Sequence, residues 1–96
     1  MRLEAAYEDR DRQVFLVARD LSETGAWLQA PDPPAAGRRA RLTLELPGVA
    51  PLVRVRATVV RRESGGFALR FDSSRASKEA RAALRSFVEH SLAQQR

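Results

Sequence analysis

Cysteine is absent from this 96-residue chain, and histidine, methionine, tryptophan, tyrosine and lysine each occur once. Without cysteine there is no disulfide, no thiolate nucleophile and no thiolate metal site. With His90 as the sole imidazole, no two-histidine metal site can be drawn, and its place late in a predicted helix matches no Ser/His/Asp motif. A Gly-rich phosphate loop is also missing. The carboxylates are scattered among arginines, the pattern of surface ion pairs rather than of paired general acids and bases. Long apolar runs are lacking too. The densest, Val14 to Ala18, has five residues, against the ~20 that span a bilayer. The start, Met1-Arg2-Leu3-Glu4, has no basic-then-apolar layout of a secretory signal. These absences lead to the expectation of a cytoplasmic protein that is not an enzyme, holds no metal or cofactor and inserts into no membrane.

What is present fits one domain over residues 1–96. Hydrophobic residues make up 44% of the chain, enough for a modest core. Seventeen basic residues face twelve acidic ones, for a formal net charge of +5, and all the basic residues except Lys78 are arginine. The planar guanidinium fork suits phosphates and carboxylates, so an anionic partner is implied: a nucleotide, a nucleic acid or an acidic protein face. Charge alone does not distinguish these from arginines that merely solvate a surface.

Hydropathy alternates with the period of half-buried strands through most of the chain. Leu3, Ala5 and Tyr7 form a first strand, and Val14–Ala18 a second across the polar turn Asp9-Arg10-Asp11-Arg12. Ala26–Gln29 follows the turn-like Asp20–Gly25 segment, and Pro31-Asp32-Pro33-Pro34 opens a loop that ends at Gly37. Leu42, Leu44 and Leu46 then alternate with Arg41, Thr43 and Glu45. A turn at Pro47-Gly48 and a loop through Pro51 lead to Val53, Val55, Ala57 and Val59, with Arg54, Arg56 and Thr58 between them. A last hairpin through Gly65-Gly66 brings in Phe67, Leu69 and Phe71. Six antiparallel strands over about 2–72 predict a small closed β-barrel, because closure removes exposed edges. The period changes from about 77 to 94. There Ala80, Ala83, Leu84, Phe87, Val88 and Leu92 fall at helical spacing behind the N-cap candidates Ser73, Ser74 and Ser77. This amphipathic helix is expected to pack on the barrel.

Asp20-Leu21-Ser22-Glu23-Thr24-Gly25 resembles the D/N-x-S-x-x-G signature of PilZ domains, the bacterial receptors for cyclic di-GMP. The signature stands between the second and third strands, as in that family. Gly37 with Arg41–Pro47, then Thr58–Arg61 and Gly66–Phe71, look like the family's later strands, and a terminal helix is part of the pattern. The resemblance implies a six-stranded antiparallel PilZ-like barrel with one C-terminal amphipathic helix, serving regulation in cyclic di-GMP-linked outputs such as motility or adhesion.

The chain departs from the family at one place. Ligand-binding PilZ domains carry R-x-x-x-R ahead of the first strand, and no such spacing occurs upstream of Asp20. If the first hairpin centres between Arg10 and Asp11, residues whose numbers sum to 21 pair. Arg2 then faces Arg19 beside the signature, while Arg10 and Arg12 lie ~25 Å away. By resemblance the candidate nucleotide-binding residues are Asp20, Ser22 and Gly25, with Arg2 and Arg19 as partial substitutes for the missing pair. Each charged hydrogen bond contributes ~1.5–3 kcal/mol, so losing several costs about two decades of affinity or more.

The same signature residues have a purely structural reading, in which Asp20 and Ser22 stabilise a turn and Gly25 supplies a positive φ. Three functions follow in order: an adaptor that acts through a protein partner with weak or no nucleotide binding, a working cyclic di-GMP receptor, and, well behind, a nucleic-acid-binding barrel. A receptor would lose binding on Asp20→Ala or Ser22→Ala with its melting temperature nearly unchanged. The outward strand arginines Arg41, Arg54, Arg56 and Arg70 offer a basic face for nucleic acid, but only Tyr7, Phe15 and Trp27 are open to display for base stacking, so a solvated face is the simpler reading. Trp27 has two readings, core or the lining of a ligand pocket, and core is the simpler expectation for a strand tryptophan.

Overall fold

A computed structural model describes residues 3–73 and 78–94, with backbone only at 50, 51 and 91–94. Six strands, β1 (Leu3–Glu8), β2 (Gln13–Arg19), β3 (Gly25–Gln29), β4 (Arg39–Leu46), β5 (Ala50–Glu63) and β6 (Gly66–Phe71), precede one helix, α1 (Lys78–Gln94). The strands close in the order β1-β2-β3-β6-β5-β4, every neighbour antiparallel. The first hairpin pairs Leu3 with Ala18 through to Glu8 with Gln13, the register expected from the position of its polar turn. Arg10 and Arg12 therefore sit at the far end of the hairpin from the Asp20–Gly25 turn.

Alternation decides the core, since a side-chain period of two sends every second residue inward. Leu42, Leu44 and Leu46 of β4, Val53, Val55, Ala57 and Val59 of β5, and Phe67, Leu69 and Phe71 of β6 are all buried. β5 differs from expectation by starting at Ala50 rather than after Pro51. Gly48, at φ 81, tightens the turn, and Val49 N–H donates to the Leu46 carbonyl at 3.0 Å. A proline is tolerated near a strand's start or at a bulge, and the β4–β5 register shifts between Leu44 and Leu46. A second shift, between Val59 and Arg61, leaves Val60 as a surplus residue.

Tyr7 is fully buried, contrary to the expectation that it could be displayed. Its ring meets Phe67 edge-on at 5.3 Å and 77°, a contact that adds about 0.5–1.5 kcal/mol beyond burial. The hydroxyl finds a partner at once, donating to Asp9 Oδ2 at 2.6 Å. Asp9 Oδ1 accepts from Asp11 N–H at 2.8 Å and Arg12 N–H at 3.0 Å, which shapes the hairpin turn. Burial raises the Tyr7 hydroxyl far above its ordinary range, and the neighbouring Asp9 carboxylate adds to that. For Asp9, burial alone would raise the carboxyl. The hydrogen bonds from Tyr7, Asp11 and Arg12, with the Arg38 guanidinium nearby, outweigh it and hold the group below the usual carboxylate range.

A depressed carboxyl stabilises the fold above its unfolded pKa, ~3.9, and that stability is lost as pH falls through the lower folded value. Asp9→Asn is expected to melt lower than the parent at pH 7, with the difference closing towards pH 2–3 as the parent's carboxyl protonates. Thermal melts of both proteins across pH 2–7 check this; a gap that stays constant over the range would remove Asp9 from the account.

The helix packs its apolar stripe on the barrel. Leu84 and Phe87 are buried, Ala80, Ala83 and Val88 partly so, and the contacts run to β5 and β4. Arg85 and Glu89 pair on the exposed side at 3.5 Å. Of the N-cap candidates, Ser74 and Ser77 lie outside the described residues. Ser73 is exposed, and its carbonyl accepts from Arg81 Nη2 at 3.3 Å.

Candidate functional site

The turn between β2 and β3 is built by its own side chains. Asp20 enters it at φ 51, the left-handed region that aspartate tolerates better than most residues. Ser22 N–H donates to the Gly25 carbonyl at 2.9 Å. Ser22 Oγ accepts from Thr24 N–H at 3.1 Å and Gly25 N–H at 3.2 Å, so its hydroxyl is spent on holding the turn. Thr24 carbonyl accepts from Phe71 N–H at 2.8 Å, tying the turn to the end of β6.

Gly25 is glycine for a reason other than the one expected. It has no positive φ; in this turn that role falls to Asp20. A Cβ on Gly25 would lie 2.3 Å from the Leu69 carbonyl oxygen. The residue lets β3 close against β6, where it pairs with Arg70.

An open cleft of about 540 Å³ lies beside this turn, bordered by Asp20, Ser22 and Gly25 together with Trp27. Trp27 is not a core residue, contrary to expectation. It is half-buried on the outer face of β3, between the buried Ala26 and Leu28. Its ring lies over Gly66, where a Cβ would meet Trp27 Cζ2 at 2.1 Å. Glycine at 66 is thus what allows an indole to lie flat against β6 beside the cleft.

Three arginines border the same cleft: Arg70 of β6, which the sequence offers only as part of an outward basic face, and Arg61 of β5 and Arg81 of α1, which it does not single out. Arg61 is paired with Glu63 at 2.6 Å, and Arg81 is held by the Ser73 carbonyl. Arg70 has no ion pair among the described residues. Its placement follows from β3–β6 pairing, a contact between segments 45 positions apart that leaves no local signal. Arg19 is exposed and stands cross-strand from Trp27, but it does not border the cleft. Arg2 lies outside the described residues.

The order of the strands, the signature turn and the docked helix point to one fold family, and the family model for the PilZ domain matches residues 1–90. The chain belongs to the PilZ family. The fold is that of the crystal structure of the PilZ domain of CeSA from a cellulose-synthesizing bacterium, with a TM-score of 0.69 at 15% identity over 88% of this chain and 86% of that one. No curated protein matches the sequence. Within the PilZ frame, the signature residues Asp20, Ser22 and Gly25 are gathered at one cleft, which basic and aromatic side chains complete.

Proposed function

We propose that this PilZ domain is a regulatory adaptor in cyclic di-GMP-linked signalling, acting in the cytoplasm through contact with a protein partner and binding nucleotide weakly or not at all. PilZ is a cyclic di-GMP receptor family of regulatory rather than catalytic character, which sets the general role. The observation that carries the protein-contact part is Phe15. It is 74% exposed in the uncharged stretch Val14–Val17 of β2, on the outer face across from Ala6. A phenylalanine this open, on an outer strand face it shares with the half-buried Val17 and Ala6, suits a contact surface better than solvent. The weak-binding part rests on the absent R-x-x-x-R, whose forks would clamp both phosphates and guanine faces.

The receptor reading is favoured by a separate observation. Arg61, Arg70 and Arg81 border the signature cleft and could supply part of the missing positive charge, with Trp27 offering a surface for a purine. Isothermal titration with cyclic di-GMP separates the two. The adaptor reading expects no saturable binding below about 100 µM, as the loss of several charged hydrogen bonds requires. Low-micromolar binding that disappears in Asp20→Ala would overturn it in favour of the receptor. Ser22→Ala is the poorer control, because its hydroxyl holds the turn and its loss is expected to lower stability with or without a ligand.

A further inference from the structure

The outer face of β4 and β5 carries arginines in an arrangement that only the register reveals. Arg41 stands directly across from Arg56, and Arg39 is joined through Thr58 to Arg70. Arg54 lies one step further along β5, across from Thr43. Among the described residues Arg39, Arg54, Arg56 and Arg70 form no ion pair, and Arg41 reaches Glu8 only at 3.8 Å. Like charges directly opposite each other destabilise a strand pair. The fold therefore holds a repulsion that an anion would relieve.

These arginines also border a concavity. Arg39, Arg41, Arg56 and Arg70 line an open groove of about 1060 Å³ between the β1–β2 turn and the end of β6. Carboxylates also line the groove: Asp9 and Asp11 are engaged with Tyr7 and Arg38, Glu8 lies 3.8 Å from Arg41, and Asp72 is half-buried and engaged as well. Among the described residues no exposed aromatic lines the groove, since Phe71 there is buried. A stacking platform for nucleic-acid bases is therefore missing.

We propose that this groove is a docking site for an extended acidic segment of a partner protein, with carboxylates at alternate positions. Arg39 and Arg41 are two residues apart on β4, hence ~6.8 Å, with Arg56 directly across from Arg41. Alternate side chains of an extended peptide repeat at that same distance, so each guanidinium fork meets one carboxylate. This names the chemistry of the partner in the adaptor reading and rests on it. The nucleotide titration and the test below fail separately, because the groove's arginine pair Arg41 and Arg56 lies outside the signature cleft.

The test is fluorescence anisotropy with a labelled twelve-residue peptide of alternating glutamate and threonine, against a block peptide of the same composition and a dT12 oligonucleotide. The double variant Arg41→Gln/Arg56→Gln is expected to weaken the alternating peptide about tenfold, as for two charge-assisted pairs on an open surface. Arg62→Gln/Arg85→Gln, with the same change in charge but off the groove, is expected to change it less than about twofold. Arg56→Gln alone is expected to raise the melting temperature of the free domain by about 2–4 °C, since it removes the cross-strand repulsion. Equal binding of the block peptide, tighter binding of dT12, or equal loss in the two double variants would each overturn the proposal. An unchanged or lowered melting temperature in Arg56→Gln would remove its energetic premise.

Discussion

Gly25→Ala is expected to cost about 3 kcal/mol of folding stability, at the upper end of the usual range for overpacking, and to lower the melting temperature by roughly 10–20 °C. The added methyl would be driven to 2.3 Å from the Leu69 carbonyl oxygen, which is backbone and cannot rotate away. Relief requires β3 to move from β6 along the Gly25–Arg70 to Gln29–Gly66 ladder. The nature of the constraint is testable with a second residue. If Gly25 served a left-handed φ, asparagine would be tolerated there. Under the steric account Gly25→Asn fares no better than Gly25→Ala, whereas Asp20→Asn, at a truly positive φ, stays close to the parent. Thermal melts of the three variants decide this, and a Gly25→Ala protein melting within a few degrees of the parent would refute the close-approach account. The result also bears on function, because Gly25 borders the signature cleft.

Leu84→Ala is expected to cost about 2–5 kcal/mol, the range for truncating a fully buried leucine. Leu84 has no exposed surface and sits at the centre of the stripe that α1 lays against β5 and β4. A 17-residue helix with this composition is marginal alone, so its order depends on that contact. Denaturant unfolding followed by far-ultraviolet circular dichroism and by Trp27 fluorescence gives the measurement. Because Trp27 lies on β3 and Leu84 on α1, coincident loss of both signals at a lowered midpoint means that helix and barrel unfold as one unit. Loss of helical signal with an unchanged tryptophan transition would show instead that α1 is only an appendage. Arg85→Ala, on the exposed side of the same turn, is the matched control and should shift stability by no more than about 0.5 kcal/mol.

The docked helix matters for the site as well. Arg81, one turn before Leu84, carries the only α1 side chain that borders the signature cleft among the described residues. The stability of the helix dock and the charge of the cleft are thus linked through one turn of α1.

Much of this architecture was legible in the sequence because its signals are local. The period of two through Leu42–Leu46, Val53–Val59 and Phe67–Phe71 identified strands and their inward residues together. The polar tetrad Asp9–Arg12 fixed the hairpin centre, and with it the register of β1 on β2. The change to helical period marked α1, whose Leu84 and Phe87 are buried as the stripe requires. The Asp20–Gly25 spacing placed the signature turn between the right strands.

Other features arose only when the strands closed on one another. Tyr7 could be read as displayed because a phenol has a polar end; its burial depends on Phe67 across the barrel and on Asp9 folding back to accept its hydrogen bond. Trp27 and Gly66 explain each other, yet 39 positions separate them, so neither residue alone reveals an indole lying on the outer face. The reason for Gly25 is a carbonyl on another strand, which no turn statistics contain. Arg41 and Arg56 read from the sequence as outward arginines of a solvated basic face, and only the β4–β5 register sets them directly opposite each other. Periodicity along the chain thus determined which side of β4, β5 and β6 faces the core. Which outward side chains become neighbours depended on long-range pairing, barrel closure and the surplus residue at Val60, and so was decided by the tertiary structure.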